Sequence, residues 1–410
     1  MTMASILFCW ELGAGFGHLT PHREVLATLK RKGHTVHIAV RDLARASKAF
    51  EGLPFHYWQA PCPQGKPEHF YNPTVNFTQI MNNSGLGDPT GLAARIAAWR
   101  NIISVTHPDL ALVDYCPTVL LALRGMNIPA VVTGTGFFIP PNITPFPAFP
   151  MLAKQTTPEK LAADEKQLLD CVNAAIAKHR MPPLNNLAQI FHETAGKIFR
   201  SLPEFDHYPN RGPAEFLGLP PDPPRTPPTW PQGEGPRVFA YLKPFKNIET
   251  LLTELQKRNQ PTIIACDGIA KEHRHKYTTP TMRFVPPTID IAQVGREAHF
   301  AITNANLTTS VRLLIEGCPV MAVPLQLEQT LVANNFRRLG VGVMIRPNSA
   351  EDIAPALAQM FENRKYRDAA EAIALKYRGR TDGYVERAVA VLERLLPSSG
   401  VTVSPAQAAS

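Results

Sequence analysis

No stretch of this sequence approaches the about 20 consecutive apolar residues that a helical membrane span needs. Its first apolar run, Ile6 to Trp10, is too short and lacks the basic flank of a signal peptide. There is no dense run of Lys and Arg, so nothing points to nucleic acid as a partner. Cysteine is sparse: Cys9, Cys62, Cys116, Cys171, Cys266 and Cys318 form no CxxC pair. Several sit in apolar runs, where a thiol behaves as a small hydrophobe. A reduced, cytoplasmic compartment is the expectation.

What is present suits a two-domain α/β protein. A chain of 410 residues, 44% hydrophobic and 19% charged, is too long for one ordinary core and has apolar material for two, of about 200 residues each. Lys and Arg number 42 against 34 acidic residues, a formal charge of +8. That mild excess suits an anionic small molecule, a phosphate-bearing donor or an acidic membrane surface, and it equally suits no particular partner.

Strand and helix text alternate through both halves. Ser5–Leu12 reads as a strand, GAGFGHLTP as a loop, and HREVLATLKRK as a helix that starts near Pro21 and stops at Gly33. HTVHIAVRD, FHYWQAP, LALVD and PAVVTG are further strands. After the proline-crowded stretch 218–236, the strands RVFAYLKP, PTIIACDG, MRFVPP, HFAITN and PVMAVPL alternate with helices. This grammar predicts a parallel sheet with helices on both faces in each half, and a semi-rigid linker where the prolines crowd. Residues 134–150, GTGFFIPPNITPFPAFP, are too broken for a helix. They read as a wall of an apolar cleft or as a rigid packed loop.

In doubly wound sheets, ligands bind where strands end. The first strand runs into Gly13, Gly15, Gly17 and His18. Glycines there let a backbone approach a ligand closely. A dinucleotide loop would need glycine at position 18, although Asp42 at the end of the second strand resembles a ribose-binding acid. His18 reads either as a helix cap or as a neutral general base, with Asp114 at the end of LALVD as the group that holds its tautomer. In the second half, Lys243 follows a strand, Asn304–Thr309 opens a helix as an anion site would, and Glu328–Gln329 could hydrogen-bond several hydroxyls.

Together these positions resemble the family 1, UDP-glycosyltransferase-like enzymes of GT-B fold. GFGHLTPHREVLATLKRKGHTVHIAV is similar to that family's GHxxP loop, helix and second strand; PDLALVDYCP is similar to its Asp-bearing segment, and GFFIPP to its acceptor-side loop. NANLTTSVRLLIEGCPVMAVPLQLEQ lies in register with HGGxGTxxEALxxGVPxxxxPxxxDQ from Asn304 to Gln329, and LGVGV follows.

The resemblance implies an inverting, metal-independent transfer of a sugar from a nucleoside diphosphate sugar, of UDP or dTDP type, to a hydroxyl of a small apolar or aromatic acceptor. His18 and Asp114 would be catalytic. Gly15, Gly17, Lys243, Pro287, Asn304, Thr308, Thr309, Arg312, Glu328 and Gln329 would bind donor, and Phe137, Phe138 and Phe146 acceptor. The domains would be 1–217 for the acceptor, a linker 218–236, 237–380 for the nucleotide sugar, a C-terminal helix 381–396 returning to the first domain, and a disordered tail 397–410. Departures cluster on the donor side: Asn304 replaces the family's His, Ala305, Asn306 and Thr308 its glycines, Arg312 its ribose-binding Glu, and Val332 an Asn. Lys243 and Arg312 are expected to supply the charge for the pyrophosphate. The alternative is a catalytically decayed GT-B protein that binds a ligand or partner.

Overall fold

The computed structural model describes residues 3–65, 67–222, 225–379 and 382–397. The chain divides into two compact units: 1–200, 208–221 and 383–410 form the first, and 201–207 with 222–382 the second.

In the first unit the order is β1 (Ser5–Trp10), α1 (Arg23–Arg31), β2 (Thr35–Val40), α2 (Leu43–Ala49), β3 (His56–Gln59), α3 (Phe77–Met81), α4 (Pro89–Thr106), β4 (Leu110–Asp114), α5 (Pro117–Leu123), β5 (Ala130–Gly134), α6 (Pro158–Ala177), α7 (Gln189–His192) and β6 (Gly196–Phe199). The strands pair in parallel as β3-β2-β1-β4-β5-β6. β4 is buried along its whole length, as a parallel strand covered on both faces must be. α1 shows why its text is helical: Val25, Leu26 and Leu29 make one buried stripe, Glu24 stands in the first turn, and Lys30 and Arg31 complement the carboxyl end. Gly33, at φ +96°, turns the chain into β2.

The second unit repeats the pattern with β7 (Val238–Leu242), α8 (Ile248–Arg258), β8 (Thr262–Cys266), α9 (Lys271–Tyr277), β9 (Met282–Phe284), α10 (Ile291–Glu297), β10 (Phe300–Thr303), α11 (Leu307–Ile315), β11 (Val320–Ala322), α12 (Leu327–Leu339), β12 (Gly342–Met344), α13 (Ile353–Glu362) and α14 (Lys365–Tyr377). Its parallel order is β12-β11-β10-β7-β8-β9. The last helix, α15 (Tyr384–Glu393), packs in the first unit, where Tyr384, Ala388, Val389 and Leu392 join the core formed by β1, β2 and α1.

Two stretches fall differently from the expected bounds. Ser201–His207 clusters with the second unit: the Phe205 and Phe336 rings lie 5.9 Å apart, and Asn335 Nδ2 donates to Asp206 O at 2.9 Å. The proline-rich stretch is not a free spacer. Leu217 and Leu219 are buried in the first unit, and Thr226 N donates to Thr288 O at 2.9 Å while Thr226 O accepts from Asp290 N at 2.8 Å. The non-proline positions of the stretch keep their donors, and the second unit uses them. Of the expected tail 397–410, residues 398–410 lie outside the described residues.

The strand order locates two switch points. β1 and β4 are neighbours, with Trp10 in register with Asp114, and β7 and β10 are neighbours, with Tyr241 in register with Thr303. Each pair's following helices leave on opposite faces, which opens a crevice beyond the carboxyl ends. His18, Asp114, Lys243 and Asn304 stand at or just beyond these ends.

Candidate active site

β1 hands over to a loop that carries its backbone back across β4: Leu12 N donates to Tyr115 O at 3.1 Å. Gly13 follows at φ +80°, and the 3-10 turn Phe16–His18 then brings the His18 ring over Trp10, with centroids 5.3 Å apart and planes 16° apart. His18 Nδ1 lies 2.9 Å from Asp114 Oδ1. Its side chain is only 9% exposed, so the ring is held rather than solvated.

Asp114 carries more than the expected dyad. Oδ2 is 2.7 Å from His22 Nε2 and accepts from Arg200 Nη2 at 2.7 Å. Burial pushes this carboxyl up, but the Arg200 guanidinium and the hydrogen bonds from His18 and His22 outweigh it and hold Asp114 well below the usual carboxylate range. An ionised carboxylate only accepts. In the neutral form of His18, Nδ1 therefore carries the proton and Nε2 presents a lone pair. The same logic puts a proton on His22 Nε2. Burial pulls the His22 imidazole down to about 4, against the raising effect of its bond to Asp114, so this ring stays neutral at physiological pH.

Sequence reasoning missed His22 and Arg200. His22 stands one helical turn after His18, in text read only as helix. Arg200 follows β6 directly, its N–H bonded to Gly134 O at 2.8 Å, so it stands at another carboxyl end of the same sheet. A cation there was a readable signal. Glu11 was missed too: fully buried after β1, it accepts from Thr118 N at 2.8 Å and Trp99 Nε1 at 3.2 Å, and burial raises its carboxyl despite these bonds. It ties the loop to α4 and α5.

The glycines divide. At Gly13 a Cβ would stand 2.6 Å from His18 Nε2, and the φ is left-handed, so no side chain fits. Gly15 needs its φ of +92°, whereas a Cβ at either Gly15 or Gly17 would meet nothing within 4 Å. The close approach is therefore at Gly13. Gly13→Ala is expected to cost about 1–3 kcal/mol in stability and to lower turnover by at least about tenfold by displacing the ring; chemical denaturation and steady-state kinetics check both.

Residues 134–150 are a rigid packed loop. Phe138 stacks on Tyr115 at 3.9 Å and lies 5.2 Å from the His18 ring, so it borders the site. Phe137 packs on Phe149 at 5.7 Å and meets Phe138 edge-on. Phe146, expected on the acceptor side, is fully buried beside Phe77, with its N–H donated to Glu165 Oε2 at 2.6 Å. It supports the loop and cannot touch a ligand from there. α6 anchors α3 as well, through Gln79 Nε2 to Asp164 Oδ2 at 2.8 Å.

In the second unit, several expected donor residues are already engaged. Asn304 is fully buried; its Oδ1 accepts from Lys243 N at 2.6 Å and its Nδ2 donates to Val323 O at 2.9 Å. It clasps the ends of β7, β10 and β11 together. Gln329 accepts from Leu325 N at 2.7 Å and donates to Asn306 Oδ1 at 2.8 Å, so it joins two loops. Both amides brace loops. Arg312 Nε pairs with Asp222 at 2.7 Å, and Glu328 lies 3.9 Å from His207 Nε2. The Pro287 carbonyl faces Arg225 at 3.5 Å on the exposed surface. Lys243 is exposed. At the start of α11, Thr308 and Thr309 are half-buried in the first turn, and the N-cap Asn306 makes no side-chain cap bond. Ala305 takes φ +57° before it, where the family has glycine.

Asp42, the candidate ribose acid, caps α2 instead, accepting from Arg45 N at 2.9 Å and Arg45 Nη1 at 2.6 Å. This removes the feature that favoured a dinucleotide. Among the described residues no group of three or more His, Cys, Asp or Glu could hold a metal ion, and no helix is long and apolar enough to cross a membrane.

No protein-family profile matches the chain. It is 24% identical over 391 residues to the PGL/p-HBAD biosynthesis glycosyltransferase of Mycobacterium tuberculosis, covering 90% of this chain and 87% of the relative. Its fold is similar to that of CalG4, the calicheamicin glycosyltransferase, at a TM-score of 0.71 and 17% identity over 97% of this chain and 100% of that one. It is also similar to the glycosyltransferase VinC in complex with dTDP, at a TM-score of 0.61 and 14% identity over 95% of this chain and 98% of that one. The two parallel sheets are thus those of the GT-B fold.

Proposed function

We propose that this chain, a family 1-like glycosyltransferase of GT-B fold, transfers a hexose from a UDP or dTDP sugar to a hydroxyl of a small apolar or aromatic acceptor, with inversion and without a metal. The observation that carries this reading is the His18–Asp114 contact at 2.9 Å, which leaves Nε2 of a neutral imidazole as a proton acceptor. Nε2 takes the acceptor's hydroxyl proton. The freed oxygen pair forms the bond to the anomeric carbon, and the bond from that carbon to the diphosphate oxygen breaks, the nucleoside diphosphate leaving with its electron pair. Attack opposite the leaving group inverts the configuration. Tyr115 and Phe138 beside His18 favour an acceptor with an apolar or aromatic body.

On the donor side the N-terminal amides of α11 and the hydroxyls of Thr308 and Thr309 meet the diphosphate, with Lys243 as the added cation. Glu328 orients the sugar. Arg312, held by Asp222, acts on the donor only together with that carboxylate. The dTDP in VinC makes this nucleotide the first to test.

One observation favours a second reading, a ligand-binding protein without turnover: Asn304 and Gln329 are spent on internal hydrogen bonds. Calorimetric titration with UDP, dTDP and GDP sugars and with NAD separates the two. Binding of a nucleotide sugar followed by its transfer or hydrolysis is expected. Binding of none of these nucleotides by the folded protein would sink the transferase reading in favour of the second.

A further inference from the structure

Asp114 offers two oxygens and receives three donors, and only one of these, His18, faces the reacting atoms of the proposed transfer. The other two share Oδ2. Arg200 is 1% exposed, and among the described residues its side chain has no protein acceptor other than this carboxylate. A permanently charged guanidinium sealed against a carboxylate makes a pair with no net charge. That matters for the base. A lone buried carboxylate stabilises an imidazolium beside it and draws a proton onto the ring, whereas one already matched by a cation does so far less.

The other groups around the carboxylate leave this balance intact. Trp10 on β1 and Thr133 on β5 flank it in register, without charge. From α15, Tyr384 is fully buried, and burial raises its phenol, so it stays neutral. Arg387, on the same helix, is turned to Leu217 O at 2.8 Å. Glu11, the acid that follows β1, is held by Thr118 N and Trp99.

We infer that Arg200 and His22 are positioning residues for transfer: they occupy Oδ2, turn Oδ1 towards His18 Nδ1, and offset the charge of Asp114 so that His18 rests as a neutral base. This rests on the transferase reading above, and its test has a readout that does not. Histidine ring NMR of the full chain, with the His18 signal assigned by its loss in His18→Ala, follows the titration of His18 without substrate.

In Arg200→Met the His18 midpoint is expected to rise by about one pH unit or more, a tenfold gain in proton affinity, with Arg200→Lys moving it by less than about a third of that. The acid limb of the rate profile, measured with dTDP- or UDP-hexose and p-nitrophenol, should move with it. His22→Phe should lower kcat by about tenfold at unchanged KM, and His22→Gln, whose amide can still donate to Oδ2, should restore most of it. An unmoved midpoint in Arg200→Met overturns the charge-offsetting role. Should that variant not fold, the His22 pair decides: equal losses in His22→Phe and His22→Gln, or a loss in KM alone, overturn the positioning role. Absence of turnover in the unmodified protein would count against the transferase reading and leave the NMR outcome to judge this one.

Discussion

His18→Ala removes most turnover, lowering kcat by about 10²–10⁴-fold, while nucleotide-sugar affinity stays within a factor of about two. The size follows from what the ring does. Its Nε2 is the one proton acceptor that the His18–Asp114 contact presents, and no carboxylate replaces it nearby: Asp114 is committed to three donors and Glu11 to Thr118 and Trp99. The ring is small, and its loss leaves Trp10 and Phe138 to close over the gap, so the fold should survive. In the intact protein, turnover should also fall as the pH drops and the imidazole takes up a proton. Stopped-time assays of kcat across pH, with calorimetry of donor binding on the same variant, check this. A His18→Ala protein with undiminished turnover would remove the base assignment and with it the proposed chemistry.

Asp114→Asn should be costly twice over. The amide presents N–H groups to a site that holds three donors, so the tautomer of His18 is no longer enforced and kcat should fall by at least about a hundredfold. It also leaves the Arg200 guanidinium buried and unmatched, which should destabilise the protein by about 3–5 kcal/mol. The two costs separate in the double variant. Asp114→Asn with Arg200→Met should recover most of the stability, because the stranded charge is gone, and none of the turnover. Denaturant unfolding of both variants alongside kinetics reads each quantity on its own. If Asp114→Asn proved as stable as the parent protein, the buried charge pair would not exist in solution as described.

The sequence and the structure agree where local pattern decides and part where side chains choose among partners. Continuous apolar runs such as LALVD read as buried parallel strands, and their ends can be named from text, so the sequence alone places His18 and Asp114 at strand ends. What the text did not carry was strand order. Arg200 is distant from Asp114 in sequence and separated from it by β5 in the sheet, so only topology shows that they meet. On the donor side, Asn304 and Gln329 stand where a ligand residue was expected, but an amide has both donor and acceptor, and backbone groups of Lys243, Val323 and Leu325 claimed them. A motif position shows where a side chain stands and not what it is already holding. Phe146 illustrates the same limit in the loop 134–150: its aromatic character was correctly read as apolar packing, but burial under Phe77 turned it inward.

The return of α15 to the first unit bears on how the chain is made. The second unit is nearly continuous, from 222 to 382 with the short addition of 201–207, and can close as soon as that stretch has left the ribosome. The first unit is begun earlier and finished last, because its core lacks Tyr384, Ala388, Val389 and Leu392 until the final helix emerges. During synthesis its β1–β2 and α1 surface therefore waits uncovered for the whole time taken to translate the second unit. A stop codon or proteolytic cut ahead of 383 would leave that surface bare, and the unit that carries His18 and Asp114 would be the one exposed to chaperones and degradation.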